Sequence, residues 1–224
     1  MGAVRIVGFV PSKLQSERIP FKNIKPLGGI PLVNYSVRTL NRVPFIEETA
    51  LFASEPSICQ YLEPGTQCRF IRRPSFLDSQ TTTIQDLIRE FLAVCPADIV
   101  VLLHITSPFL RHETITECIE AVRSGRHDSA LTVLELRKFC WFRGKPLNYS
   151  LDHPTPRTQD VDPVYVEQSS LYVFRSKVFH ETGQRISQNP YFKHIDHFEG
   201  HDIDTEEDFR VAELIVNTGL YTFV

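Results

Sequence analysis

The chain lacks the glycine signatures that hold nucleotides on their own. There is no GxxxxGK followed by Ser or Thr, which excludes a P-loop NTPase, and no GxGxxG after the first strand-like run, which argues against a dinucleotide fold. The five cysteines (59, 68, 95, 118 and 140) are odd in number and include no CxxC. That pattern fits reduced thiols better than a disulfide frame or a zinc site. No GxSxG elbow and no Ser/His/Asp order supports nucleophilic hydrolysis. The apolar opening MGAVRIVGFV is too short to span a membrane, and no cleavage-site pattern follows it. A cytoplasmic location with no membrane partner is therefore expected. Excess positive charge is also missing: at a net charge of −3, no general basic surface invites nucleic acid. Internal repeats and low-complexity linkers are absent as well.

Against that background, the positive charge between residues 10 and 25 is local and pointed. VPSKLQSERIPFKNIK carries Lys13, Arg18, Lys22 and Lys25 against the single acid Glu17. It directly follows Val4–Val10, a β-branched run that reads as a buried strand. A cationic loop at the carboxyl end of a first parallel strand is where an α/β sheet holds a phosphorylated ligand. A solvated basic loop is the alternative.

Strand and helix signals then alternate. A turn at 28–31 leads to a helical face at Val33, Val37 and Leu40; strands are predicted at 49–53 and 68–71. Ile84, Leu87, Ile88, Phe91 and Leu92 mark an amphipathic helix. Residues 98–104 read as a central parallel strand, and Ile115, Cys118, Ile119 and Val122 as a further helix. Strands at 129–136 and 170–174 and a helix from Thr205 to about Val216 complete the pattern. Such βαβ repetition predicts an α/β fold: three layers around a mainly parallel sheet, in one domain over 1–224. Residues 137–165 interrupt it with four prolines and the only tryptophan, Trp141. A stretch that long without a clear element predicts an inserted arm or flap, with a dimer contact as one use.

Three further groups carry chemistry. Asp202 and Asp204 would lie on one side of a strand and could share Mg²⁺, a hard cation that takes few protein oxygens. Asp204 could instead be a helix N-cap, with Glu207 completing a capping box. His104, Thr106 and Ser107 end the central strand, facing either the ligand crevice or a turn that they cap. Arg157, Gln159 and Asp160 sit in the irregular arm, within reach of an anionic ligand or simply at the surface. His194, His197 and His201 have helical spacing but stand in a strand-like alternation, and no cysteine lies nearby to favour zinc.

Five blocks in order then give the chain a resemblance. It resembles the acylneuraminate cytidylyltransferase family, as a divergent member. The family's opening PARxxSKRIPxKN stands here as PSKLQSERIPFKN (11–23), and its RPxxLAxD stretch as RPSFLDSQTTT (73–83). LxQPTSPLR becomes LLHITSPFLR (102–111), with one inserted residue; RxQDLPxxY becomes RTQDVDPVY (157–165); and IDIDTxxDxxxAE becomes HDIDTEEDFRVAE (201–213).

The resemblance implies a Rossmann-like nucleotide-diphosphosugar transferase fold. It also implies transfer of CMP from CTP to an acidic, nonulosonate-like sugar, with release of pyrophosphate. Nucleotide contacts are implied for Pro11, Ser12, Lys13, Ser16, Asn23, Arg73 and Thr82. A catalytic role is implied for Lys22 near the α-phosphate, and Mg²⁺ as cofactor on Asp202 and Asp204. Acceptor contacts are implied for His104, Thr106, Ser107, Arg157, Gln159, Asp160 and Gln168. The 137–165 excursion matches a dimerisation element, so a homodimer is expected. Four departures stand out: Lys13 replaces an arginine, Glu17 replaces a lysine, His104 replaces the strand-end glutamine, and Glu167-Gln168-Ser169 replaces Pro-Asn-Gly. Two lie in the first loop and two at the acceptor end. An octulosonate, sugar-phosphate or phosphonate acceptor, a GTP donor, or a non-catalytic nucleotide-binding protein remain as alternatives.

Overall fold

Alternating side chains in the first strand already divide the core in two. The computed structural model describes residues 4–16 and 18–221. In it Ile6–Pro11 forms β1, with Ile6 and Val10 facing one apolar cluster and Val7 and Phe9 the other. Pro26–Leu27 (β2) and Ile30–Pro31 (β3) form a small hairpin, so Gly28 and Gly29 make its turn rather than leading straight into helix α1, Val33–Asn41. Strands β4 (Glu48–Ala53) and β5 (Arg69–Arg72) follow, then α2 (Ile84–Val94). Next come β6 (Ile99–Leu103), α3 (His112–Arg123) and β7 (Ser129–Leu136). The 137–165 stretch holds a second hairpin, β8 (Trp141–Phe142) and β9 (Lys145–Pro146). The chain ends through β10 (Val164–Arg175), α4 (Ser176–Thr182), β11 (Pro190–His194) and α5 (Glu206–Asn217).

Among the described residues the main sheet has seven strands in the order β11-β7-β10-β6-β1-β4-β5. Only β10 runs antiparallel to its neighbours, β6 and β7; the other pairings are parallel. Helices α1, α3 and α5 contribute Val37, Ile119 and Phe209 to one face. On the other face α2 and α4 contribute Phe91 and Phe179, and Phe91 stacks on Phe9 with ring centroids 4.0 Å apart. This is the expected three-layer Rossmann-like α/β fold with a mainly parallel sheet.

Two local expectations change. The strand expected at 170–174 begins at Val164, inside the stretch read as an arm. Its first half is mostly exposed, pairing with the outer end of β7, so it lacks the apolar run that marks a buried strand. A register shift follows between Gln168 and Tyr172. Residues 201–204 are not a strand. They form an extended approach to α5, whose N-cap is Thr205 and whose capping box is closed by Asp208, in place of the Asp204 and Glu207 pair.

The β2–β3 turn shows what the last helix imposes on the start of the chain. Gly28 (φ +56) and Gly29 (φ +83) are both left-handed, but a Cβ on Gly28 would lie 2.6 Å from Val216 Cγ1 of α5, while one on Gly29 would meet nothing within 4 Å. Gly28→Ala should cost the left-handed penalty of about 1–2 kcal/mol plus about 1–3 kcal/mol of overpacking. Gly29→Ala should cost the first part alone. Urea denaturation of the two variants checks this; equal losses would show that α5 does not confine the turn.

Candidate active site

The carboxyl ends of β1, β5 and β6 open onto one cleft of about 330 Å³. This is the crevice a doubly wound sheet offers its ligand. Pro11, Ser12, Lys13, Ser16, Lys22, Asn23, Arg73, Thr82, His104 and Thr106 all line it, together with Arg18, Ser79 and the apolar Leu77, Ile84 and Leu87.

The first loop is shaped by internal ties. Ser12 N donates to the Phe52 carbonyl (3.0 Å), extending the β1–β4 ladder by one rung. Asn23 Nδ2 donates to Ser12 Oγ (3.1 Å) and to the Lys13 carbonyl (2.9 Å), clipping the loop's end to its beginning. Ile19 is buried as the loop's apolar anchor. Phe21 takes a left-handed φ of 55° and admits the short 3-10 turn Lys22–Ile24. The loop's polar side chains are thereby left facing the cleft. Glu17, the acid among these cations, lies outside the described residues.

Lys22 joins this loop to the far end of the sequence. Its Nζ donates to the Ile203 carbonyl at 2.7 Å and stands 3.5 Å from Asp204 Oδ1. Burial pushes the Lys22 ammonium pKa down, and the charges of Asp204 and Asp202 oppose that shift. Arg18 Nη2 pairs with the same Asp204 oxygen at 2.8 Å. Asp204 is free for this role because Asp208 caps the helix, accepting from the backbone N–H groups of Asp204 and Thr205.

Asp202 lies deeper. Ile203 N donates to the Thr106 carbonyl (2.8 Å), holding the segment against the end of β6. Burial raises the Asp202 carboxyl pKa, while a hydrogen bond from the Thr106 side chain works the other way. Its Oδ1 is buried and has no hydrogen-bond partner among the described residues. An orphaned carboxylate oxygen beside a second carboxylate suits a hard divalent cation, which takes one or two protein carboxylates and completes its shell elsewhere.

The two walls differ in chemistry. On the α2 side Arg73 is buried, its guanidinium held by Asp78 through Nε at 3.0 Å and through Nη2. On the β6 side the buried Nε2 of His104 is unpartnered among the described residues. Burial first, and then the charge of Arg185, push the His104 pKa down to about 4. The imidazole is therefore neutral at physiological pH.

Other expected residues do not line this cleft. Ser107 is buried and its Oγ is unpartnered among the described residues. Arg157 is 73% exposed and forms a two-point pair with Asp160 (2.7 and 3.2 Å), and Gln159 is exposed beside them. Gln168 sits at the β10 irregularity, its nearest side-chain contact the Val166 carbonyl at 3.5 Å. His194 and His201 occupy separate neighbourhoods, facing Glu135 and the Asp208 carbonyl. The sequence reading passed over Arg185 and Tyr172, which the fold sets beside His104. Tyr172 sat inside a predicted strand and gave a signal only as apolar content, and Arg185 gave none.

The neutral state of His104 has a consequence for stability. Its folded pKa (about 4) lies below the ordinary 6.5, so between these values the unfolded chain binds more protons. Stability should fall as pH drops through that window, by up to about 3 kcal/mol from this group. Denaturation at pH 7 and about pH 4.5 should show a smaller loss for His104→Gln than for the wild type. Parallel losses would mean that His104 is not held neutral.

Comparison with known proteins gives the chain a family. A family model described as Cytidylyltransferase matches residues 7–140. The chain is 26% identical over 218 residues to the N-acylneuraminate cytidylyltransferase of Oncorhynchus mykiss, covering 93% of this chain and 49% of the relative. It is 23% identical over 217 residues to the pseudaminic acid cytidylyltransferase of Campylobacter jejuni, covering 92% of this chain and 94% of that one. The chain thus spans about half the length of the Oncorhynchus mykiss protein and nearly all of the Campylobacter jejuni one. Among solved structures, a CMP:2-keto-3-deoxy-manno-octonic acid synthetase complexed with CTP superposes with a TM-score of 0.70 at 16% identity, covering 96% of this chain and 99% of the other; this likeness concerns the fold. With more than half of its length matched by the family model, the chain belongs to the cytidylyltransferase family.

Proposed function

We propose that the chain transfers the cytidylyl group of CTP to a hydroxyl of an acidic sugar and releases pyrophosphate. The observation that carries this reading is the convergence on one cleft of the first-loop cations, Arg73 and His104, with the Asp202–Asp204 segment tied to it by Lys22. Family membership and relatives named for acylneuraminate and pseudaminic acid support both donor and acceptor class.

The acceptor hydroxyl oxygen bonds to the α-phosphorus and gives up its proton to solvent, the bond to the bridging oxygen breaks, and pyrophosphate carries away the electron pair. Such a transfer asks the protein for position and charge rather than covalent chemistry. Lys13, Ser16 and Lys22 face the phosphates in this reading, with Lys22 nearest the α-phosphate. Asn23, Arg73 and Thr82 receive the nucleoside, and Pro11 and Ser12 form the floor. Asp202 and Asp204 fit Mg²⁺, which when bound neutralises phosphate charge and eases departure of pyrophosphate. His104, neutral and unpartnered at Nε2, has a lone pair or an N–H to offer an acceptor hydroxyl.

The working unit in this reading is a homodimer. Trp141 (55% exposed), Phe142 (60%) and Leu151 (68%) present apolar surface from the 137–165 stretch, and Tyr165 and Phe192, exposed on β10 and β11, lie against each other. Exposed apolar side chains of this kind are what a protein–protein contact uses.

Pyrophosphate release from CTP in the presence of N-acetylneuraminate or 2-keto-3-deoxy-manno-octonic acid tests the reaction. Asp202→Asn should lower turnover at least about a hundredfold while leaving the melting temperature close to that of the wild type. Stabilisation by GTP but not CTP in a thermal-shift comparison would overturn the choice of donor, and near-normal turnover in Asp202→Asn would remove its assigned role.

Sedimentation tests the assembly. The wild type should run as a dimer, and the double variant Trp141→Glu, Phe142→Glu as a monomer. A monomeric wild type would refute the homodimer.

A further inference from the structure

Beyond His104 the acceptor wall continues into a second layer. Tyr172 lies on β10 opposite Leu102 of β6, its ring buried and 6.4 Å from the imidazole of His104. The Tyr172 hydroxyl donates to Glu167 Oε1. Arg185, from the segment after α4, lays its guanidinium carbon 3.8 Å from the centre of the Tyr172 ring. Its side chain is only 16% exposed, and its Nε has no partner among the described residues. The Glu167 carboxylate stands 4.0 Å away, at ion-pair range and beyond hydrogen-bond reach.

Arg185 Nε is thus a buried donor without a partner among the described residues, while the side chain also hydrogen-bonds to the Tyr172 hydroxyl. A guanidinium presents five N–H donors in a plane and is built for two-point pairing with a carboxylate. Stacking on an aromatic ring fixes that plane and leaves the fork edge available. The carboxylate paired with it among the described residues is turned toward Tyr172 and is half exposed, so it can swing away without leaving a buried charge behind. Arg157 is differently placed, with its fork already closed by Asp160 and its side chain in solvent.

We propose that Arg185 is the specificity-determining residue that receives the acceptor's carboxylate, on a platform formed by Tyr172, with Glu167 as the counter-ion that the substrate displaces. This rests on the acceptor being an acidic sugar. It assigns the acid group to Arg185 and a hydroxyl to His104. It also gives a use to Glu167, one of the residues that departs from the family pattern.

The test compares an acid with its neutral ester. Binding of N-acetylneuraminate, of 2-keto-3-deoxy-manno-octonic acid and of the methyl ester of each is measured calorimetrically on the CTP-loaded protein, for the wild type, Arg185→Gln and Arg185→Lys. The wild type should bind at least one acid about ten- to a hundredfold more tightly than its ester, as expected for a charge-assisted pair. Arg185→Gln should bind acid and ester alike, and Arg185→Lys should fall between. CTP affinity should stay within about twofold of the wild type in both variants, which a general loss of structure would not allow. Undiminished preference for the acid in Arg185→Gln would overturn the proposal, and so would a CTP-loaded wild type that binds neither acid. Failure of the wild type to bind CTP would instead refute the cytidylyl-transfer reading itself.

Discussion

The Nζ of Lys22 donates to the Ile203 carbonyl and stands within ion-pair range of Asp204. These partners come from opposite ends of the sequence, and the cleft depends on their meeting. A buried ammonium is costly unless it is paired, so the contact holds only if residues 201–204 are brought against the first loop. The Ile203 N–H does this from the other side by donating to Thr106 at the end of β6. One short segment is therefore held by the loop after β1 and by the turn after β6, and its two aspartates take their positions from that. Capping of α5 by Asp208 is part of the same arrangement, because it spares Asp204 from a helix-terminal role.

The charge balance of this region explains why an anionic ligand would complete it. Arg18 and Lys22 share one carboxylate oxygen of Asp204, so two cations lean on a single acid. Asp202 is buried with a bare oxygen. Both features leave charge locally uncompensated: positive toward the first loop, negative toward the β6 turn. A polyphosphate carrying a divalent cation would match the two in the same orientation, phosphate oxygens against the cations and metal against the carboxylates. An uncharged ligand would leave both unsatisfied.

Much of this layout is legible in the sequence because its signals are local. The β-branched run of β1, the apolar run of β6 and the i, i+3, i+4 spacing of α2 each lie within a dozen residues, and each appears where its pattern places it. The loop cations and His104 inherit their position from strand ends, so locating the strands located them. What the sequence hides is either exposed or tertiary. The outer half of β10 pairs at the surface and has no buried face to announce it. The cap of α5 falls at Thr205, one residue after the Asp204 that the sequence offers, and only the backbone at Thr205 decides it. Arg185 stands in a segment without periodicity and acquires meaning only because β10 runs antiparallel and brings Tyr172 next to His104.

That antiparallel strand also carries one of the chain's departures from its family pattern, Glu167-Gln168-Ser169. β10 runs along β7 to Gln168, shifts register, and continues with Tyr172 facing the α2 side. A bulge re-aims the side chains on either side of it and leaves the rest of the ladder intact. Substitutions at 167–169 can therefore change what faces the acceptor without disturbing β6 or the first loop, on which the phosphate end depends. His104 lies at the junction, fixed by the parallel half of the sheet and facing the antiparallel half. The donor end is tied by buried contacts between distant segments, and one change there would leave a charge stranded. The acceptor end hangs on a half-exposed strand that tolerates change. If the cleft works as proposed, that difference in constraint lets acceptor chemistry change more readily than phosphate binding.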